Sequence, residues 1–195
     1  MGIEFEMKYS AEPAQQEAVL AAYPLEYQTF QMETTYFDTP DSALSHRHIT
    51  LRRRMENDAS VCTVKTPVST YGRGEWECEC EDIEQAIPKL CKLGADEALL
   101  SLTAAGVVPV CGARFTRQAG VVTFRESQLE IALDRGILSG GGQEMPLCEI
   151  EVELKSGSPE DAVAFGALLA QRFGLVPQKR SKFRRALALA KGENI

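Results

Sequence analysis

The stretch EFEMK, Glu4 to Lys8 within the opening MGIEFEMKYS, decides how this chain is read. Charged and apolar residues alternate strictly there, Glu4, Glu6 and Lys8 against Phe5 and Met7. A period of two marks a β-strand, because successive side chains point to opposite faces. One face is therefore apolar, and the other carries two carboxylates and one ammonium. Same-face neighbours on a strand stand about 6.5–7 Å apart, so the carboxylates repel unless something positive lies between them. A solvated strand face explains one such triplet on its own.

The same alternation recurs along the chain. Arg52 and Arg54 share a face in ITLRRRM, and Lys65 shares one with Thr63 in SVCTVKT. Glu75, Glu77 and Glu79 face away from Trp76, Cys78 and Cys80 in RGEWECEC. Arg117 goes with Phe115, and Arg114 faces oppositely. Glu130 and Asp134 line one face of QLEIALD, and Glu149, Glu151 and Glu153 oppose Ile150, Val152 and Leu154 in CEIEVELK. A solvated antiparallel sheet also alternates in this way. Like charges in blocks, acidic on some strands and basic on others, are costly on a solvent face, whereas a cavity holding both anions and cations needs them. A sheet closed into a barrel with its charged faces inward would enclose a polar channel and turn its apolar faces outward, to be covered by amphipathic helices.

Composition sets the frame. The chain has 195 residues, 44% of them hydrophobic, enough for one domain with a sizeable core over residues 1–195. Lys plus Arg number 21 against 28 Asp plus Glu, a net charge of -7, which argues against a nucleic-acid or membrane-surface binder. No apolar run approaches the roughly 20 residues of a membrane span, and the N-terminus lacks a signal-peptide core, so a cytoplasmic location is expected. Cys62, Cys78, Cys80, Cys91, Cys111 and Cys148 form no C-x-x-C pair and read as reduced core residues. His46 and His48 have no third soft ligand nearby, so zinc is not expected. Serine-nucleophile, P-loop and dinucleotide motifs are missing.

Helices are expected at SAEPAQQEAVLAAY, capped by Ser10 with Pro13 in the first turn, and in part of residues 82–102. VCGARFTRQ and GVVTFRE read as two strands with a tight turn near Gly120, and Gly140, Gly141 and Gly142 as a loop. SPEDAVAFGALLAQRFG has Ser158 as cap, Pro159 first in the helix and Gly174 as terminator, with an expected apolar face of Val163, Leu168, Leu169 and Phe173. A last helix starts near Ser181 and ends at Gly192. The expected class is α+β with about eight strands.

EFEMK matches the E-x-E-x-K signature of the CYTH superfamily, the triphosphate tunnel metalloenzymes. Along its length the chain also resembles that family at YFDT (Tyr36), LRRR (Leu51), TVK (Thr63), GEWE (Gly74), FTR (Phe115), EIALD (Glu130), CEIEVEL (Cys148) and SKFRRA (Ser181). The resemblance implies an eight-stranded antiparallel β-barrel with a charged interior and helices packed outside, binding a triphosphate with Mg2+ or Mn2+. It implies a phosphate cradle of Lys8, Arg52, Arg54, Lys65, Arg117, Lys182 and Arg185. The implied metal ligands are Glu4, Glu6, Glu149 and Glu151, joined by Asp134 and Glu153, with Glu75 and Glu77 as acidic support. Glu4, Glu6, Lys8 and Lys65 are expected to act in the chemistry, and Arg53, Arg114 and Arg184 to be solvated.

The function implied is hydrolysis of inorganic triphosphate to diphosphate and phosphate, as in single-domain bacterial inorganic triphosphatases. The alternatives are a class IV-type adenylyl cyclase, a thiamine or nucleoside triphosphatase, and a noncatalytic polyphosphate- or nucleotide-binding module. Outward apolar faces not covered by helices would suit a homodimer.

Overall fold

A computed structural model describes residues 2–67 and 73–193, with residues 2–4 and 73 described by their backbone alone. The strands are β1 (Gly2–Glu4), β2 (Glu6–Ser10), β3 (Gln28–Asp38), β4 (Thr50–Glu56), β5 (Ala59–Pro67), β6 (Arg73–Glu79), β7 (Val108–Phe124), β8 (Ser127–Gly140), β9 (Gln143–Ser156) and β10 (Val176–Pro177). The helices are α1 (Pro13–Ala22), α2 (Ala43–His46), α3 (Ile83–Lys92), α4 (Ala98–Leu102), α5 (Pro159–Phe173) and α6 (Lys182–Lys191).

All ladders are antiparallel, in the order β1-β6-β5-β4-β3-β7-β8-β9-β2-β10. The expected class, α+β on an antiparallel sheet, is observed. The finer expectation of eight strands closed into a barrel is not: the ladder has ten members, and among the described residues none joins β1 to β10. The N-terminal run nevertheless reaches both flanks. β1 pairs with β6, and β2, one residue further along, pairs with β9.

The period-two pattern sets the layers. On one face, Tyr9, Leu129, Ile131, Leu133, Ile150 and Val152 pack against Ala162, Phe165 and Leu169 of α5. Further round the sheet, Leu51, Cys62, Val64 and Trp76 pack against Ile83, Ala86, Ile87 and Leu90 of α3. Trp76 is therefore a core residue beneath a helix, as its facing suggested. α6 departs from the expected arrangement of helices outside. Its Phe183 and Ala186 pack on Met32, Tyr36, Phe115, Leu138 and Leu147, which share the sheet face of Arg117, Asp134 and Glu149. One end of the charged face is thus apolar, and α6 seals it.

Four local expectations are corrected. α1 starts from Glu12, whose N–H donates to Gln15 Oε1 at 2.7 Å, while Ser10 ends β2. No turn interrupts β7 at Gly120, because the glycine answers a packing need: a Cβ there would stand 3.1 Å from Leu25 and Tyr27. On α5, Val163 and Leu168 are exposed, and the buried face is Ala162, Phe165, Gly166 and Leu169. All six cysteines are free, but only Cys62 is buried and the other five are half-buried. The glycine cluster does turn the chain: Gly141 and Gly142, at φ 60° and 75°, make the two-residue connection from β8 to β9 that favours glycine.

Candidate functional site

The polar sheet face encloses a cavity of about 250 Å³. Strand alternation delivers its lining: Glu6 and Lys8 from β2, Arg52 and Arg54 from β4, Lys65 from β5, Glu75 and Glu77 from β6, Arg117 from β7, and Glu151, Glu153 and Lys155 from β9. Lys182 enters from the first turn of α6, where Ser181 caps the helix by accepting from Arg184 N–H at 3.2 Å. Cross-strand register puts opposite charges side by side, as Lys8 faces Glu151 and Arg117 faces Asp134.

The β8–β9 wall is the most tightly knit part. Asp134, Glu149 and Glu151 are buried, with one oxygen of each within 4.8 Å of the others. Lys182 Nζ lies 2.7 Å from Asp134 Oδ2, 2.7 Å from Glu151 Oε1 and 3.0 Å from Glu149 Oε2. Arg117 forks onto Asp134, Nε to Oδ1 and Nη2 to Oδ2, both at 2.7 Å, and its Nη2 also donates to Glu151. Arg185 Nη2 is 2.7 Å from Glu149 Oε1. The Glu149 contacts are ionic only, since both of its oxygens lack partners in hydrogen-bond geometry. Behind the wall the buried Gln16 donates to the carbonyls of Asp134 and Glu149 at 3.0 and 2.9 Å, fixing β8 to β9 beneath the carboxylates.

Burial alone would push Glu151 up, but Lys182, Arg117 and Lys8 overcome it and hold the carboxyl well below the usual range. Burial likewise opposes the charge on Lys182 and Arg117, and their carboxylate partners raise both well above the ordinary values. In the contacts of Glu151 with Lys182 and Arg117, both ends thus point the same way, to paired charges. At Lys8, burial is outweighed by Glu6, 2.6 Å away, so its ammonium is also strengthened.

The β4–β6 wall is looser. Glu75 Oε1 lies 3.2 Å from Lys65 Nζ and 3.5 Å from Arg52 Nη2. Arg54 Nε stands 3.2 Å from Glu56 Oε1, an ionic contact outside hydrogen-bond geometry, and Arg52 Nε has no hydrogen-bond partner among the described residues. Glu77 shifts the opposite way to Glu151: burial, then the charge of Glu75, raises its carboxyl.

The predicted residues thus fall into groups. Glu6, Lys8, Arg52, Arg54, Lys65, Glu75, Glu77, Arg117, Glu151, Glu153 and Lys182 line the cavity. Asp134 and Glu149 stand behind that lining, joined to it through Lys182. Arg185 reaches the cavity only through Glu149 and lines a separate cleft. Glu4 is in β1, opposite Arg73, and its side chain lies outside the described residues. Arg114 and Arg184 are exposed as expected, whereas Arg53 is half-buried and donates to the Glu81 carbonyl at 3.0 Å. Lys155 was missed. It lines the cavity and bridges Glu153 and Glu130 at 3.0 and 3.4 Å, a role its i+2 spacing from Glu153 could have signalled.

The donor set fits a hard divalent cation. Three carboxylates converge on the Lys182 ammonium, which stands where a cation is stabilised, and all the donors are oxygens of the kind Mg2+ and Mn2+ prefer. Glu6 and Glu153, paired directly across β2 and β9, add carboxylates beside them.

The chain is 30% identical over 169 residues to the inorganic triphosphatase of Haemophilus influenzae, an alignment that covers 85% of this chain and 47% of that protein. The chain therefore spans about half the length of this relative. Solved structures share the fold. A Hippeastrum protein superposes with a TM-score of 0.62 at 18% identity, covering 100% of this chain and 98% of its own. A Pyrococcus horikoshii protein gives 0.65 at 23% identity, covering 94% and 98%. The described helices include none long and apolar enough to cross a membrane. The CYTH domain family matches residues 2–187, nearly the whole sequence, and with the alternating charged strands and the acidic and basic cavity they build, the chain belongs to that family.

Proposed function

We propose that this chain hydrolyses inorganic triphosphate to diphosphate and phosphate with Mg2+ or Mn2+. The observation that carries the reading is a cavity of about 250 Å³ lined by Lys8, Arg52, Arg54, Lys65, Arg117 and Lys182 and backed by the acidic cluster of Asp134, Glu149 and Glu151. A triphosphate is a dense polyanion, and guanidinium forks with lysine point charges match its nonbridging oxygens. The Nε–H groups of Arg52 and Arg54, without hydrogen-bond partners among the described residues, are donors for such oxygens. The likeness to a triphosphatase over 85% of the chain supports the same class of chemistry.

Asp134, Glu149, Glu151, Glu6 and Glu153 are the candidate metal ligands, and we assign Glu4 to the same set from the EFEMK signature. Bound there, the divalent ion would neutralise phosphate charge and lower the pKa of a bound water. The chain's own residues hold the polyanion in line, exclude competing geometries and offset the charge that spreads over the equatorial oxygens. Lys182 is the group that exchanges roles, since an ammonium withdrawn from the triad is free to meet a phosphate. Glu77 lines the same cavity, and burial, then the charge of Glu75, raises its carboxyl and so favours its protonated form relative to a free glutamate. The sheet, with the N-terminal run at both flanks, would enclose the substrate as a tunnel.

The aromatic side chains at the cavity favour an inorganic substrate over a nucleotide or thiamine ester. Tyr36, Phe115 and Phe183 are buried in the cluster under α6, and Lys182 and Arg117 lie over the Phe115 ring at 5.3 and 5.9 Å, so that face is not open to stack a base. The test compares phosphate release from inorganic triphosphate, ATP and thiamine triphosphate with Mg2+, Mn2+ and chelator, with chromatography for cyclic AMP. Metal-dependent release from inorganic triphosphate above the others is expected. Tight binding without turnover would make the cavity a binding module, and cyclic AMP formation would make it a cyclase.

A further inference from the structure

Arg185 stands apart from the other basic residues near the triad. It borders a second cleft of about 830 Å³, formed where the start of α1, the β8–β9 hairpin and the segment before α6 meet. Arg185 is only 5% exposed, and its Nε and Nη2 make no hydrogen bond. Nη2 is ion-paired with Glu149 at 2.7 Å, but outside hydrogen-bond geometry, so the charge is matched while the Nε and Nη2 hydrogens have no acceptor among the described residues. Buried donors without acceptors are costly, and native proteins seldom leave them so. The cleft also carries Arg135, Lys179 and Arg180, with Glu12 as the one carboxylate among its described lining residues and Glu17 3.8 Å from Arg135. On a chain of net charge -7 this is a local reversal of sign. Arg135 is fixed in place, its Nε donating to Gln16 Oε1 at 3.0 Å and its Nη2 to the Pro13 carbonyl at 3.1 Å.

We propose that this cleft is a second oxyanion site, separate from the charged cavity, that takes a phosphate group. Arg185 is its inner donor, and Lys179 and Arg180 close the rim. Several cations around one opening favour a multiply charged tetrahedral anion over a monovalent one, and a planar fork suits its paired oxygens. The two basins lie back to back across Glu149, which Arg185 touches from one side and Lys182 from the other at 3.0 Å. An anion in the cleft therefore competes with Glu149 for Arg185.

Calorimetric titration of the full chain with inorganic phosphate tests this. Two classes of site are expected. The double substitution Lys179→Ala/Arg180→Ala, both surface positions, should weaken one class by roughly 10-fold or more, the loss expected when charge-assisted hydrogen bonds are removed. Arg52→Ala/Lys65→Ala should weaken only the other. Arg185→Lys keeps the charge opposite Glu149 but not the fork, and should weaken the same class as the rim pair, with an unchanged near-UV circular dichroism spectrum as the check on folding. Repeating the titration with glycerol 3-phosphate separates the free ion from a phosphomonoester: equal affinity assigns the site to the ester, weaker binding to inorganic phosphate, and either supports it. A single class of site lost with Arg52→Ala/Lys65→Ala, or a second class indifferent to Lys179→Ala/Arg180→Ala, would overturn it.

Discussion

The two walls of the charged cavity hold similar residues in opposite states. On the β8–β9 wall, Lys182, Arg117 and Arg185 meet Asp134, Glu149 and Glu151 at short range, three cations against three carboxylates before any ligand arrives. On the β4–β6 wall, Arg52 and Arg54 retain Nε–H groups without hydrogen-bond partners among the described residues, and the Glu75 contacts are longer. A neutralised cluster stabilises the fold and stores a cation site. A wall with donors to spare would be completed by an anion under the proposed function. Under the proposed function, the same residue types would divide into a paired part that holds a cation site and an open part that meets the anion.

The contrast breaks most visibly at Lys182. Lys182→Met would leave three buried carboxylates with Arg117, Arg185 and, opposite Glu151, Lys8 as the remaining cations, and removing one partner from a buried ionic cluster costs about 3–5 kcal/mol. Urea denaturation should show a loss of that order, and Mn2+ should raise the thermal midpoint of the variant more than that of the parent. A loss under ~1 kcal/mol, typical of exposed pairs, with no response to Mn2+, would remove the idea of a pre-neutralised cation site.

Arg52→Ala and Arg54→Ala should behave in the reverse manner. Stability should move by no more than ~1 kcal/mol, while kcat/KM for inorganic triphosphate drops roughly 100-fold, the scale seen when one preorganised donor is lost. Stability falling as steeply as for Lys182→Met, with turnover retained, would erase the difference between the walls.

Titration sharpens the comparison further. Glu151 has its folded-state pKa below the unfolded value of about 4.3. Its stabilising contribution is therefore present above the unfolded value and lost as pH falls through the folded one. The stability gap between parent and Glu151→Gln should stay constant above about pH 5 and close in more acidic solution. Glu77 has the opposite sign: its folded pKa is raised, so its contribution is present below the unfolded value and lost as pH rises. Glu77→Gln should gain stability slightly near neutral pH, and a gap for Glu151→Gln that widened in acid would contradict the assignment.

The alternation of charged and apolar residues was legible because a strand's facing is fixed by parity, so which residues from Glu6 to Glu153 share the charged face could be read from spacing, while their roles in a cavity came from the family resemblance. Parity also separated Arg114 from Arg117. It could not say that Arg185 turns away from Lys182, since three residues along a helix rotate the side chain by about 300° and the neighbouring surfaces decide what each one meets. Nor could it place α6: an amphipathic helix reports that it covers an apolar surface, not which side of the sheet that surface lies on. The apolar stretch of the charged face, Met32, Phe115, Leu138 and Leu147, comes from four different strands and is visible only once they are aligned. Gly120 misled because glycine signals a turn and a close approach alike.

The smallest effects are expected on the helix behind the tightly paired wall. Val163 and Leu168 are 44% and 42% exposed, so Val163→Ser and Leu168→Ser should each change stability by less than ~0.5 kcal/mol. Gly166→Ala is the informative neighbour. Its new Cβ would fall 2.4 Å from Tyr9 Oη, and Tyr9 lies in β2 one residue beyond Lys8, so α5 and β2 cannot both keep their places. Since β2 carries Glu6 and Lys8 into the cavity, Gly166→Ala should lower stability and phosphate affinity together, whereas Val163→Ser leaves both unchanged. Were Val163→Ser to cost as much as Gly166→Ala, the buried face of α5 would be the one expected from its sequence, and the packing that holds β2 against β9 would have to be redrawn.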